Sequence, residues 1–370
     1  MVIMFSLEPN YLSNANIFST MISYRLATRA DNDQLIQLTA NSGMMGETGL
    51  RIDRNPDFFK LLDMRGDTKV FIALEEDTII GCICVTRQQV YVGGQIFPVQ
   101  YVGDFKVAAA FRNKGIGLHL CNEMADYVVS SGSDLAFLNV SKGNTKPISF
   151  FKNRPNVPDF DNIGVFNIHQ FIGKRKKAFH PRLNVELIPV TDEVVDFLQS
   201  HYAKYELGSL ITKEKLEDAT IFSIKQDAKI IAAMCLIDTM SVKQNVVTKL
   251  SLKMRFLLKC INGCSDIAGI SKMPLLNEPV RMMYIKYLAV DSLDKPVVKL
   301  LINHARNMVY EKSYSFISIG LHEKDPLNSC FGGMLKLSFN SVGMLLSIKN
   351  NRDLIEKVKN GIPFEDYSLV

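Results

Sequence analysis

The order of apolar runs repeats along the chain, and this repeat limits the architectures open to it. Val70-Phe71-Ile72-Ala73-Leu74 has a counterpart 151 positions on, in Ile221-Phe222-Ser223-Ile224-Lys225. Ile79-Ile80-Gly81-Cys82-Ile83 has one at the same offset, in Ile230-Ile231-Ala232-Ala233-Met234. Asp104-Phe105-Lys106-Val107 matches Tyr287-Leu288-Ala289-Val290, now 183 positions apart. Each copy continues with a helical pattern and one more strand-like run, Leu135–Val140 in the first and Phe316–Gly320 in the second. The second copy is therefore longer, and the amphipathic run Leu250–Cys264 with the loop after it accounts for the excess. At 370 residues the chain suits two domains of ordinary size. The expectation is two related α/β units in tandem.

Within the first copy, Asp31 or Asn32 caps a helix through about Asn41, and a short helix follows near Phe58 to Met64. Glu75-Glu76-Asp77-Thr78 separates two strand-like runs and reads as a hairpin turn. A strand covers Val99 to Ala109, and a helix runs from Gly115 to Ser130 with Ile116, Leu120, Met124 and Val128 on one face. Leu135–Val140 is a strand, Pro147–Lys152 a helix, and Val165–Ile172 is expected to close the unit. Residues 180–189 read as a linker, so the boundaries fall at 1–22 (an N-terminal extension), 23–178 and 179–370, with an inserted helix around 244–276.

Composition narrows the classes. Hydrophobic residues make up 47% and charged residues 22%, as in a globular protein. Seven cysteines, an odd number mostly inside apolar runs, point to free thiols in a reducing compartment, and Cys260 and Cys264 lack companions at zinc-site spacing. No metal is expected. No apolar run reaches the roughly 18 residues of a membrane-spanning helix, and the N-terminus lacks a signal-peptide core. A cytoplasmic protein follows as the default, with no membrane partner. The net charge of +5 is mild, and its one cluster, Gly173-Lys174-Arg175-Lys176-Lys177, reads as a solvated strand end without a nucleic-acid reader motif.

The chemistry concentrates after the strand ending at Val107-Ala108-Ala109. Ala110-Phe111-Arg112-Asn113-Lys114-Gly115-Ile116-Gly117 is a tight loop with two glycines that opens a helix. Such a loop directs several backbone N–H groups to one point at the positive end of the helix dipole. Arg112 and Lys114 add charge, and the absence of Cβ atoms at 115 and 117 leaves room for a bulky anion. A pyrophosphate suits this constellation. No third glycine stands where a Rossmann fingerprint requires it.

The run resembles the R/Q-x-x-G-x-G/A signature of GNAT N-acetyltransferases, through Arg112, Gly115 and Gly117. Asn144-Thr145-Lys146-Pro147-Ile148-Ser149-Phe150-Phe151 resembles the family's downstream N-x-x-A-x-x-[aromatic or Leu]-Y pattern. The resemblance covers about residues 24–172. It implies acetyl-CoA as the cofactor, held by Val107, Ala108 and Ala109 along the pantetheine and by Arg112, Asn113, Lys114, Gly115, Ile116 and Gly117 at the pyrophosphate. It further implies that Asn144, Pro147, Phe150 and Phe151 line the pantetheine arm. The expected activity is direct transfer of an acetyl group to a primary amine on a small molecule or peptide. A longer acyl donor, or a CoA sensor or scaffold without turnover, is the alternative. Phe151 stands where family members often carry a tyrosine that protonates the leaving thiolate. Asp104 is the best-placed carboxylate for a general base, with Tyr101 on the same strand as the other candidate. The second copy reads Lys295-Pro296-Val297-Val298-Lys299-Leu300 in place of the signature, with Asp291 and Asp294 nearby, and is expected to bind no CoA. The expected fold is thus two GNAT-like α/β units, each a mixed, mostly antiparallel sheet flanked by helices.

Overall fold

A computed structural model describes residues 21–41, 49–142 and 159–370. In the first half, β1 (Ile22–Leu26), β3 (Asp67–Glu75), β4 (Thr78–Val92) and β5 (Gln95–Val107) form an antiparallel meander, with β6 (Leu135–Ser141) added parallel to β5. The second half repeats this with β8 (Glu186–Ile188), β10 (Thr220–Gln226), β11 (Lys229–Asp238), β13 (Met282–Val290) and β14 (Phe316–His322). The strands pair at the positions the repeat predicts, and β4 runs on to a second hairpin at Gly93-Gly94.

The two halves do not close separately. β7 (Asp161–Ile172) pairs with β14, and β15 (Lys336–Ser347) pairs with both β6 and β7. The order β1-β3-β4-β5-β6-β15-β7-β14-β13-β11-β10-β8 therefore reads alike from either end, within a sheet of 13 strands that also takes in β9 (Gly208–Ser209). The expectation that Val165–Ile172 completes the first unit fails for a physical reason. β6 already has β15 on its open edge, so β7 finds its partners across the centre. Sheet pairing satisfies the backbone groups of both strands, and either edge left open would expose a row of them.

Helices pack on the two faces. α3 (Ile116–Ser130) lays Ile116, Leu120, Met124 and Val128 against Ile80, Ile83, Val85 and Val102. In the second half, α6 (Lys295–Glu311) buries Val298, Leu301, Ala305 and Val309 against Ala232, Met234 and Leu288. Removing apolar area from water drives both contacts, and Leu120→Ala would cost about 2–5 kcal/mol. The remaining helices are α1 (Asn32–Ala40), α2 (Lys60–Arg65), α4 (Asp192–Tyr202), α5 (Leu252–Ala268) and α7 (Arg352–Asn360). A small second sheet joins β2 (Gly49–Asp53) to β12 (Gln244–Lys249), so the segment carrying α5 is tied to the first half.

Residues 362–370 cross the centre as a buried strap. Phe364 packs on Tyr202 and Tyr287, Glu365 pairs with Arg65 at 2.9 Å, and the Tyr367 ring lies on Gly320. A Cβ at Gly320 would stand 2.0 Å from that ring, so the approach requires glycine.

Candidate functional site

β5 and β6 pair in parallel only at Val99↔Leu135, Gln100↔Ala136 and Tyr101↔Phe137. β5 continues to Val107 and β6 to Ser141 without pairing, and the two strands part. A bulge in β5 sets the angle: Gly103 faces Cys84 and Lys106 faces Cys82, leaving Asp104 and Phe105 opposite one residue, with Asp104 at φ +47°. The Ala108 N–H donates to the Ile80 carbonyl at 2.8 Å, so alternation turns the Val107 N–H and C=O away from β4, into the gap. There the Val107 carbonyl accepts from Arg112 Nε at 3.2 Å.

The loop beyond the gap is built as the glycines imply. A short 3₁₀ turn covers Ala109–Phe111, Asn113 lies at φ +63°, and Gly115 at φ +81° caps α3. Gly115 brings no side chain to cap the helix, so the first-turn N–H groups of Ile116, Gly117 and Leu118 face outward at the positive end of the dipole. Arg112, Asn113, Lys114 and Gly115 are exposed around this point. The structure thus brings Val107 through Gly117 together at the mouth of the gap. Asn144, Pro147, Phe150 and Phe151 lie outside the described residues.

Asp104 and Tyr101 sit beneath the gap. The Asp104 side chain is buried and bonded to Arg54 Nη2 at 2.7 Å and to Lys106 Nζ at 2.5 Å. Burial alone would raise its carboxyl, but the charges of Arg54 and Lys106 outweigh that and hold it well below the usual carboxylate range. Tyr101 lies at the apex of the splay, with the Arg65 guanidinium 3.5 Å from the centre of its ring, and burial raises its phenol above the ordinary value. Arg54, Arg65, Glu365 and Lys243 were not legible in sequence. They come from distant segments and carry no motif. Lys243 is buried, donates to the Val370 carbonyl, and is lowered to about 7 by burial and by the charges of Arg54 and Arg65.

The second half has the matching gap, with β13 and β14 paired only at Met282↔Phe316, Met283↔Ile317 and Tyr284↔Ser318. A bulge again interrupts β13 opposite Cys235 and Leu236, and Asp291 N–H donates to Ile231 as Ala108 does to Ile80. This gap is closed. The Tyr202 hydroxyl accepts from the Leu288 N–H at 2.9 Å and donates to the Leu288 carbonyl at 3.3 Å, and His201 bonds the Val290 backbone. Burial and Lys204 lower His201 to about 4, so the ring is neutral there. The loop is also shorter. α6 begins at Lys295, only four residues after Asp291, with Asp294 as its cap residue and Pro296 in its first turn.

Residues 23–145 match the family model described as an acetyltransferase (GNAT) domain. Among solved structures, the fold is similar to that of Saccharomyces cerevisiae N-myristoyltransferase with bound myristoyl-CoA, at a TM-score of 0.58 and 12% identity over 92% of this chain and 85% of that one. It is also similar to a GCN5-related N-acetyltransferase from Anabaena variabilis, at a TM-score of 0.52 and 10% identity over 89% of this chain and 73% of that one. Among curated proteins, none matches the sequence. The family likeness thus lies in the first half, over residues 23–145. Over nearly its whole length it shares the fold of these N-acyltransferases.

Proposed function

We propose that the chain is an N-acyltransferase that takes its acyl group from a CoA thioester bound between β5 and β6 and passes it to a primary amine. The observation that carries this reading is the open gap itself. Val107, whose backbone faces away from β4 and meets Arg112 from the loop, leads to a helix start without a side-chain cap, beside exposed Arg112 and Lys114. A pantetheine arm offers amides to the former, and a pyrophosphate suits the latter. In the reaction, the amine nitrogen attacks the thioester carbonyl carbon, the C–N bond forms and the C–S bond breaks. The CoA thiolate leaves, and the amine surrenders one proton. A main-chain N–H in the gap, at Val107, is placed to polarise the carbonyl oxygen. Phe151 has no hydroxyl with which to protonate the thiolate, whose low pKa lets it leave unaided.

Asp104, held ionised by two cations, is a weak proton acceptor, and Tyr101 is shielded by Arg65. We assign Asp104 to fixing the bulge that aims the Val107 backbone, and the amine proton to solvent. Acetyl-CoA is the first donor to test. Myristoyl-CoA is the second, because the N-myristoyltransferase likeness spans both halves. The test is calorimetric titration with each donor, followed by thiol release over a panel of amines. Micromolar binding with turnover supports the proposal. Absence of binding for both donors sinks it, and binding without turnover for any amine favours a CoA sensor.

A further inference from the structure

We infer that α5, together with the basic run 174–177, forms a docking surface for an anionic phospholipid membrane. This helix packs inward through Leu258, Ile261 and Ser265. Its opposite face presents large apolar side chains at both ends. Leu252, Phe256 and Ile267 are 81%, 72% and 87% exposed, and at about 100° per residue they fall on one outward stripe. Isolated exposed hydrophobic residues need no explanation, but aligned apolar anchors at both ends of one helix face do.

The charges around the stripe decide what covers it. Lys253 and Lys259 flank it on its two sides, and Asp266 is the one acid of the helix. At its C-terminal end, Gly269 accepts from the Arg175 N–H at 2.8 Å, and Lys174 bridges to Ile270. This contact brings Arg175, Lys176 and Lys177, all exposed, beside the helix, followed by Phe179 at 86% exposure. Lysine is depleted from protein–protein interfaces, whereas apolar anchors rimmed by lysine and arginine suit the headgroup boundary of a bilayer. In sequence the run 173–177 stands alone as a solvated strand end, because α5 lies some eighty positions downstream. Among the described residues no helix is long and apolar enough to cross a membrane, so the helix would lie on the surface.

Flotation of the full chain with vesicles tests this. Phosphatidylcholine vesicles containing phosphatidylserine should carry the protein upward, and pure phosphatidylcholine vesicles should not. Phe256→Ser should weaken the partitioning by about tenfold or more, as loss of one buried aromatic anchor implies. Lys176→Glu with Lys177→Glu should weaken it at least about tenfold and flatten its salt dependence. Both changes lie on exposed side chains, so melting should not move. If Phe256→Ser disturbs folding, Ile267→Ser is the replacement. No flotation with phosphatidylserine, equal flotation of wild type and anchor variants, or a dimer that Phe256→Ser dissolves would each overturn the proposal.

Discussion

The two gaps of the sheet have equivalent strands, bulges and flanking helices, yet among the described residues only one is open. In the first, Arg112 reaches back from the loop to the Val107 carbonyl. In the second, Tyr202 and His201 from the end of α4 cover the backbone of Leu288 and Val290. The same fold therefore serves as a ligand cleft or as solid core, depending on two residues and a loop. Splaying parallel strands costs backbone hydrogen bonds, which a ligand or a side chain must replace. The difference also shows at the bulges. Asp104 anchors the first through two cations, whereas Lys286 at the second donates to the Lys215 carbonyl at 2.8 Å.

The largest effect that separates the gaps should come from these anchors. Asp104→Asn removes the charge while asparagine still tolerates the left-handed backbone, leaving Arg54 and Lys106 buried without their counterion. Breaking such a buried cluster costs about 3–5 kcal/mol, so chemical denaturation should show a large loss. Lys286→Met, which removes a buried charge bonded to a carbonyl and not to a carboxylate, should cost less than about 1 kcal/mol. Equal losses would mean that the bulges are held alike. If Asp104 were instead the general base, the Asn variant would lose turnover of about 10²–10⁴-fold and regain part of it at high pH.

Gly117→Asp comes next. A carboxylate in the first turn of α3 occupies the anion site, and affinity for acyl-CoA should fall at least about a hundredfold. The same charge favours the helix N-terminus by about 0.3–1 kcal/mol, so melting should hold or rise slightly. Tight binding retained in this variant would leave the open gap without a pyrophosphate site.

The strands of both halves were legible because apolar runs at fixed offsets carry a strong signal. So was the loop Arg112–Gly117, because glycine and charge at a strand–helix junction have few other uses. The exchange of β7 and β15 was not legible, since pairing across the centre depends on which edge is free and not on local pattern. The plug was equally hidden. Tyr202 and His201 read as ordinary helix residues until the fold brings Tyr202 to Leu288, 86 positions on, and His201 to Val290. Likewise Arg65 and Glu365 gain meaning only from the strap, with 300 positions between them, and Arg54 only from the bulge at Asp104.

Tyr202→Phe probes the plug with a smaller effect. The ring and its contacts with Phe364 and Tyr287 stay, but the Leu288 N–H and C=O lose their partner in a buried place. An unsatisfied buried group costs about 1–3 kcal/mol, and denaturation should report it while acyl-CoA affinity stays unchanged. A change in affinity would show that the two gaps are coupled through the sheet.

The smallest contrast lies at the first helix of each half. α4 is capped by Thr191, whose hydroxyl accepts from Val194 at 3.4 Å and does not titrate. Before α1, Asp31 accepts from the Thr28 N–H at 2.7 Å and from both Arg25 nitrogens at 2.7 and 2.8 Å. The Arg25 hydrogen bond leads the causes that lower the Asp31 carboxyl to about 2. Its folded pKa lies below the unfolded value of about 3.8, so the stability it supplies is complete above that value and fades as pH falls toward 2. Arg25 is nearly half exposed, which screens the pair, and the contribution should stay under about 1 kcal/mol. Asp31→Asn should therefore lower stability slightly at pH 7 and converge with the wild type in acid. Thr191→Ala should cost about 1 kcal/mol at every pH. The check is denaturant unfolding of the three proteins between pH 2 and pH 7. Parallel curves for Asp31→Asn and wild type across that span would remove the carboxylate from the account of the first half, and leave its helix capped by backbone geometry alone.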